Sequence, residues 1–283
     1  MFYQSIRIQI AIITKLINNT KFKIDKGDHL LDTHTHILWN IDDGSKNQCM
    51  SLQMLEIAAR SGTKAIFATP HVIERANKPS WEEIKEKTQQ LRQLCAEAQI
   101  DIMLYPGAEV QMNWELLPEL GAAGAYCLNG GRYLLVPAYA DEFWYELELK
   151  GITPILAHPE RYQQLRENPD LLLLWRRRGM LMQCNSGSFT GMFGSSVCEN
   201  AKVLLANGLV DLLGSDGHRS EGRNTDMSRA AAVIRQLAGE EVLRQMTETN
   251  PQAILKNQEI ELKQPKVFLE DKPKSFWQKL FGK

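Results

Sequence analysis

From residue 29 to residue 257, short apolar runs alternate with longer segments whose apolar positions recur every three or four residues. HLLDTHTH (residues 29–36) reads as a buried strand that ends in polar residues. NQCMSLQMLEIAARSG then places Met50, Met54, Leu55 and Ala58 on one helical face and stops at Gly62. KAIFATPH is a second strand ending at a histidine, and SWEEIKEKTQQLRQLCAEA is a helix whose Ser80 and Glu83 form a capping box. IDIMLYPGAEV, RYLLVPAY, ITPILAHPERY, MLMQCNSG and LVDLLGSDGH continue the strands. EFWYELELKG, PDLLLLWRRRG, SVCENAKVLLANG and the stretch 226–257 continue the helices. Repeated βα units with short connections predict one parallel, barrel-like α/β domain. The nearly continuous apolar strands suit a sheet buried on both faces. The units share no sequence with one another, which excludes a solenoid.

Composition narrows the chemistry. The formal net charge is −1, so no global basic field attracts nucleic acid. Cys49, Cys95, Cys127, Cys184 and Cys198 are scattered, with no CxxC pair. That argues against a disulfide framework or a thiolate zinc knuckle and for a reducing, cytoplasmic setting. Residues 1–28 read as an N-terminal extension. Its apolar run IQIAIITKLI is broken by Lys15, too short and polar to span a bilayer, and without the flanks of a signal peptide. Residues 258–283 read as a tail closing in SFWQKLFGK, where Phe276, Trp277, Leu280 and Phe281 share a helical face with Lys279 and Lys283 nearby. Such a helix either docks on the barrel or rests on a partner or the inner face of a membrane. The basic run WRRRG (175–179) complements a helix dipole.

The candidate chemistry gathers at strand ends. His34 and His36 close the first strand, His71 the second, Glu109 the third and His158 the fifth, while Asp216 and His218 follow the seventh. Only His29 stands apart, at the start of the first strand, and it reads as structural. In a parallel barrel the C-terminal strand ends form the face that carries active sites. Residues two apart on a strand share a face, so His34 and His36 can grip one metal ion. Asp216 and His218 repeat that spacing. Imidazole and carboxylate donors without thiolates suit Mn²⁺, Fe²⁺ or Zn²⁺. There are more donors than one ion needs, so two or three ions are expected.

DTHTHILWNIDDG, FATPH, PGAEV, ITPILAHPERY and GSDGH followed by GR together resemble the polymerase and histidinol phosphatase (PHP) superfamily. More narrowly they are similar to its bacterial protein-tyrosine phosphatase branch, which works beside capsule and exopolysaccharide synthesis. The resemblance runs from about residue 30 to about 256. AHPERY and IDDG in this order are particular to the branch, whereas HxH alone is shared with amidohydrolases.

The resemblance implies a distorted (β/α)7 barrel, one domain over residues 29–257, with a trinuclear site holding Mn²⁺, or alternatively Fe²⁺ or Zn²⁺. His34, His36, Glu109 and Asp216 would hold the first ion, Glu109 and His158 the second, and Asp43, His71 and His218 the third. Arg161, Arg223 and Lys46 would bind phosphate, and Asp32 and Asp42 would hold histidines or the turn in place. The implied reaction is hydrolysis of phosphotyrosine on a polysaccharide-synthesis tyrosine kinase by a metal-activated hydroxide, with His218 or Asp43 supplying a proton. GSFTGMFGSS is expected to be a loop over the site, with Phe189, Met192 and Phe193 against an aromatic substrate.

Two other readings fit: a small-molecule phosphate-ester phosphatase of the same superfamily, and a barrel that regulates its partner by contact after losing full catalysis. The second rests on a departure. The branch carries a glutamate in its fourth strand, in a pattern like YxLIE, where RYLLVPAYA has Pro137. Neither Asp141 nor Glu142 aligns with that glutamate, so the second ion is expected to be weakly held or absent. A cysteine-dependent phosphatase is excluded, because no cysteine is followed by arginine six positions on, and there is no GxxxxGK[ST] loop.

Overall fold

Alternation along each strand decides the architecture. The computed structural model describes residues 29–121, 124–137, 143–263 and 265. The N-terminal extension, SFWQKLFGK, Asp141 and Glu142 lie outside them. Among the described residues there are nine strand segments: β1 Leu30–Thr35, β2 Thr63–Ala68, β3 His71–Val72, β4 Met103–Pro106, β5 Glu109–Val110, β6 Tyr133–Val136, β7 Thr153–Ala157, β8 Leu181–Asn185 and β9 Leu212–Gly214. Every ladder between them is parallel.

β2 and β3 are one stave interrupted at Thr69 and Pro70, and β4 and β5 another interrupted at Gly107 and Ala108. The Gly107 amide donates to the Ala68 carbonyl (2.9 Å) and the Glu109 amide to the Pro70 carbonyl (3.0 Å), which carries the pairing across both gaps. At the far edge the Asp216 amide donates to the His34 carbonyl (2.7 Å) and the His36 amide to that of Gly217 (2.9 Å). With the parallel bridge between Thr35 and Gly217, these bonds bring the last strand back to the first. The result is a distorted (β/α)7 barrel in a single domain.

The inner and outer faces follow the period of two. Phe67, Tyr133, Leu135, Ile155, Ala157, Leu181 and Leu212 fill the inside with Leu128 and Ile254. Their strand neighbours Ile66, Leu134, Leu156, Met182 and Leu213 face outward, under the helices. The helix Gln48–Arg60 buries Met54, Leu55 and Ala58, and the Asn47 side chain caps its start. The helix Trp81–Glu97 buries Ile84, Leu91 and Cys95 and is capped by Ser80, which accepts from the Glu83 amide. The helices of the 226–257 stretch run over Ser228–Ala238, Glu240–Arg244 and Asn250–Leu255, with a π turn, Gln245–Thr249, before the last.

Two expectations are revised. The fourth strand stops at Val136, before Pro137. GSFTGMFGSS is not wholly loop: Ser186–Phe189 form a short helix, and Phe189 is 2% exposed, packed in the core away from any substrate. WRRRG closes the helix Asp170–Arg177 with Arg176 and Arg177 in its last turn, and Arg176 is buried and donates to both carboxylate oxygens of Asp211, each at 2.8 Å. Among the described residues no helix is long and apolar enough to cross a membrane.

Candidate metal centre

The inner face of β1 turns polar as it nears the barrel mouth: Asp32, His34 and His36 all lie fully buried. Glu109 enters from β5 and Asp216 from just beyond β9, each about 1% exposed. His158 follows Ala157, an inward residue, so continued extension would turn it outward. Instead its backbone is left-handed, at φ 39° and ψ 52°, which swings the imidazole in toward Glu109. Asp216 is also left-handed, at φ 53°. Such backbone is costly for a non-glycine residue and persists where the surroundings over-determine it. Gly214 is required by close approach, since a Cβ there would lie 2.6 Å from that of His34.

The donors fall into three overlapping groups, each within 4.8 Å: His36, Asp43, His71 and His218; His34, His36 and Asp216; and His34, Glu109 and His158. Every predicted metal-binding side chain belongs to one of them. His36 joins the group of Asp43, His71 and His218 as well as that of His34, a sharing the sequence reading did not contain.

The hydrogen bonds at the outer nitrogens set the imidazole tautomers. His34 Nδ1 donates to Gln183 Oε1 (2.9 Å), His36 Nδ1 to Asp42 Oδ2 (2.7 Å) and His218 Nδ1 to the Asp216 carbonyl (2.9 Å). Each therefore offers a bare Nε2 to the centre, as metal-ligating histidines do. His34 Nε2 and His36 Nε2 are 3.1 Å apart. Glu109 Oε2 lies 3.3 and 3.4 Å from these two nitrogens, and Asp216 Oδ1 lies 3.6 and 3.4 Å from them. Two ligands on one ion at ~2.1 Å and a near-tetrahedral angle sit roughly 3.4 Å apart. Glu109 Oε2 and Asp216 Oδ1 are buried and accept no well-aligned hydrogen bond, with His71 Nδ1 the nearest nitrogen to Glu109 Oε2, at 2.9 Å. A buried carboxylate oxygen without a donor is expensive, and a shared cation satisfies both. The donor set fits a divalent metal cluster.

Electrostatics supports the same conclusion. Burial disfavours the charged form of Glu109, but His34, His158 and His36 more than offset it and hold its carboxyl well below the usual range. Asp216 behaves alike, with burial outweighed by His34 and His36. Reciprocally, burial opposes charge on His34 and His36, yet the carboxylates around them raise both pKa values, that of His36 strongly. His218 goes the other way: burial, then the positive charges of His36 and Arg223, push it down to about 2.

Several supporting residues escaped the sequence reading. Gln183 holds His34, and Asn185 Nδ2 donates to Asp216 Oδ2 (2.6 Å). Their i, i+2 spacing in the buried strand MLMQCNSG is the signal that was available. Glu160, fully buried, accepts from the Asn185 amide (2.9 Å) and Ser188 Oγ (2.6 Å), which ties the His158–Arg161 turn to β8. Arg219 donates to the carbonyls of Gly44 (2.9 Å) and His218 (2.8 Å), and nothing local distinguishes it in sequence. Asp42 accepts from His36, the His71 amide (2.9 Å) and the Gly44 amide (2.8 Å), so it holds both a histidine and the turn. Asp32 Oδ1 accepts from the amides of Ser215 (2.8 Å) and His34 (3.2 Å), tying β1 to β9.

At the rim, Arg161 donates to Asp216 Oδ2 at 3.1 Å and Arg223 pairs with the same oxygen. Both guanidiniums are partly exposed. Asp43 is exposed, with Oδ1 3.4 Å from His218 Nε2 and 3.7 Å from His71 Nε2. Lys46 is exposed two residues beyond Gly44. The ladder pairs Glu109 with Leu135 and Val136 with Leu156, which puts Pro137 level with Ala157, between Glu109 and His158. β6 thus delivers no donor to the mouth.

A family model described as capsular polysaccharide synthesis, CpsB/CapC, matches residues 30–256. The chain is 33% identical over 238 residues to the tyrosine-protein phosphatase YwqE of Bacillus subtilis (strain 168), covering 82% of this chain and 93% of that one. It is 27% identical over 241 residues to the tyrosine-protein phosphatase CpsB of Streptococcus pneumoniae, covering 81% and 99%. A crystal structure from the pair YwqE of Bacillus subtilis and CpsB of Streptococcus pneumoniae, described as unique metal-dependent tyrosine phosphatases, superposes with a TM-score of 0.78 at 32% identity, over 83% of this chain and 98% of that one. A histidinol phosphate phosphatase from Lactococcus lactis, at 16% identity and a TM-score of 0.51 over 75% and 94%, shares the fold.

Proposed function

The chain belongs to the CpsB/CapC family of capsular polysaccharide synthesis proteins, and from that premise we infer that it is a metal-dependent tyrosine-protein phosphatase working at the barrel mouth. The observation that carries this reading is the meeting of Glu109 Oε2 and Asp216 Oδ1, both without well-aligned hydrogen bonds, with the bare Nε2 atoms of His34 and His36, beside two arginines. Its substrate is phosphotyrosine on a protein, a tyrosine kinase of polysaccharide synthesis. Its ions are Mn²⁺, held by His34, His36, Asp43, His71, Glu109, His158, Asp216 and His218. The group of His34, Glu109 and His158 is the weakest of the three, because Pro137 adds nothing to it.

When bound, divalent ions make a water acidic enough to attack phosphorus near neutral pH and offset phosphoryl charge. The chain's own groups do the rest. Arg161 and Arg223 turn their N–H edges to the phosphoryl oxygens, where a planar guanidinium fork matches phosphate. Lys46 adds positive charge at the entrance. Asp216 holds both arginines beside the centre, and Asn185 holds Asp216. The P–O bond to the tyrosine ring breaks as the attacking oxygen bonds to phosphorus. The phenolate, with a pKa near ~10, leaves with modest help and takes its proton from a solvent water beside Asp43, which is exposed on the rim. His218, neutral with Nδ1–H committed to the Asp216 carbonyl, keeps its Nε2 as a donor to metal.

The test is hydrolysis of an aryl phosphate and of a phosphotyrosine peptide by the full chain with Mn²⁺, next to His36→Ala. The reading requires turnover of both substrates and its loss in the variant. No turnover with any divalent metal would leave a barrel that acts by contact.

A further inference from the structure

The stretch GMFGS crosses the rim beside the two arginines. Phe193 is half-buried there, and its ring lies under the Arg161 guanidinium, Cζ to centroid 4.5 Å, and under that of Arg223, at 5.7 Å. The same two guanidiniums also converge on Asp216 Oδ2. Each arginine is therefore held by an aromatic face and a carboxylate. A guanidinium over a ring keeps its N–H donors at the edge, free for an anion.

The segment carrying the ring is built for this contact. The Met192 amide donates to the Gly187 carbonyl at 2.9 Å, which folds the segment onto the short helix Ser186–Phe189. A Cβ on Gly187 would meet Met192 Sδ at 2.9 Å and Phe193 Cε2 at 3.1 Å, so the absent side chain makes room for the ring. The neighbouring Met192 is 47% exposed and Phe189 is in the core, so Phe193 is the one member of that apolar trio placed against the arginines.

We propose that Phe193 is a positioning residue: its ring holds Arg161 and Arg223 as a preformed clamp for a phosphoryl group. This rests on the phosphate-binding role assigned to the arginines above. Ordering two long side chains in advance removes a cost that phosphate binding would otherwise bear.

The test uses the Mn²⁺-loaded full chain and inorganic phosphate as probe, with binding followed by calorimetry and KM and kcat measured on an aryl phosphate. Phe193→Ala is expected to weaken phosphate binding and raise KM in parallel, by about tenfold, with kcat changed less than about threefold and bound Mn²⁺ unchanged. Phe193→Leu, which keeps apolar packing and loses the ring, is expected to share the defect, and Phe193→Trp to restore wild-type values. Wild-type phosphate affinity in Phe193→Ala, or in Phe193→Leu, overturns the proposal. If the wild-type chain binds phosphate with this dependence on Phe193 and yet turns over no aryl phosphate, the phosphatase reading falls and the clamp stands.

Discussion

The barrel interior has two halves built on the same strands, and they are stable for opposite reasons. The floor is Phe67, Leu135, Ile155, Leu181 and Leu212, apolar and packed. The mouth is His34, His36, Glu109 and Asp216, equally buried and almost wholly polar. On β8 the boundary falls between Leu181 and Gln183, one inward step apart. The floor is complete in itself, since burying carbon needs no partner outside the chain. The mouth is incomplete, because two of its carboxylate oxygens lack well-aligned donors and its histidines aim bare nitrogens at them. Burial alone therefore does not distinguish packing from function here; the convergence of carboxylate oxygens and imidazole nitrogens on one point does.

The comparison can be broken most severely by removing metal. Chelation is expected to take aryl phosphate hydrolysis to background and lower the melting temperature, with Mn²⁺ restoring both. Because the carboxylates raise the pKa values of His34 and His36, protons compete with a cation for these imidazoles. Metal binding should release protons in weakly buffered solution, and apparent affinity should rise with pH. An affinity flat across pH 5 to 8 would contradict that account.

Next in size, His36→Ala removes a donor shared by two groups, and at least about 100-fold loss of kcat/KM with lower bound Mn²⁺ is expected. The reciprocal change in the floor is Phe67→Ala. It should cost about 3–5 kcal/mol of stability in denaturant titration while bound Mn²⁺ per folded chain stays the same. If it emptied the metal site without unfolding, the two halves would not be separable.

Gln183→Ala probes the boundary, where His34 loses the acceptor that fixes its tautomer. About 10- to 100-fold weaker Mn²⁺ binding is expected by calorimetry. The smallest effect concerns β6, the stave that stays apolar to its end. Pro137→Glu sets a carboxylate between Glu109 and His158, and the protein should retain more Mn²⁺ after gel filtration, measured by elemental analysis. Unchanged retention would mean that β6 does not limit occupancy.

Much of this was legible in sequence because the deciding pattern is local. Strand-length apolar runs, most of them closing on a polar residue, are enough to place a donor set at one end of a parallel barrel. DTHTH and AHPERY were legible for the same reason. The Pro137 departure was visible as well, since a proline cannot donate a ligand whatever surrounds it. Phe189 was misplaced because an apolar residue in a glycine-rich stretch reads the same whether it is core or rim. The pairing of Arg176 with Asp211 was not legible, because the two are distant in sequence. Glu160 and Arg219 were missed because their partners lie on other elements.

The sequence by itself determined the order of strands, the alternation that separates inner from outer face, and the inventory of imidazole and carboxylate donors. These follow from period and residue type, which do not depend on distant contacts. Only the tertiary structure decided how the donors are shared: that His36 serves two groups, that His158 reaches inward through a left-handed residue, and that Phe193 lies against Arg161 and Arg223. The physical reason is that ligand geometry depends on ångström distances between the ends of different strands. Those distances are set by barrel register and closure, which no local pattern encodes.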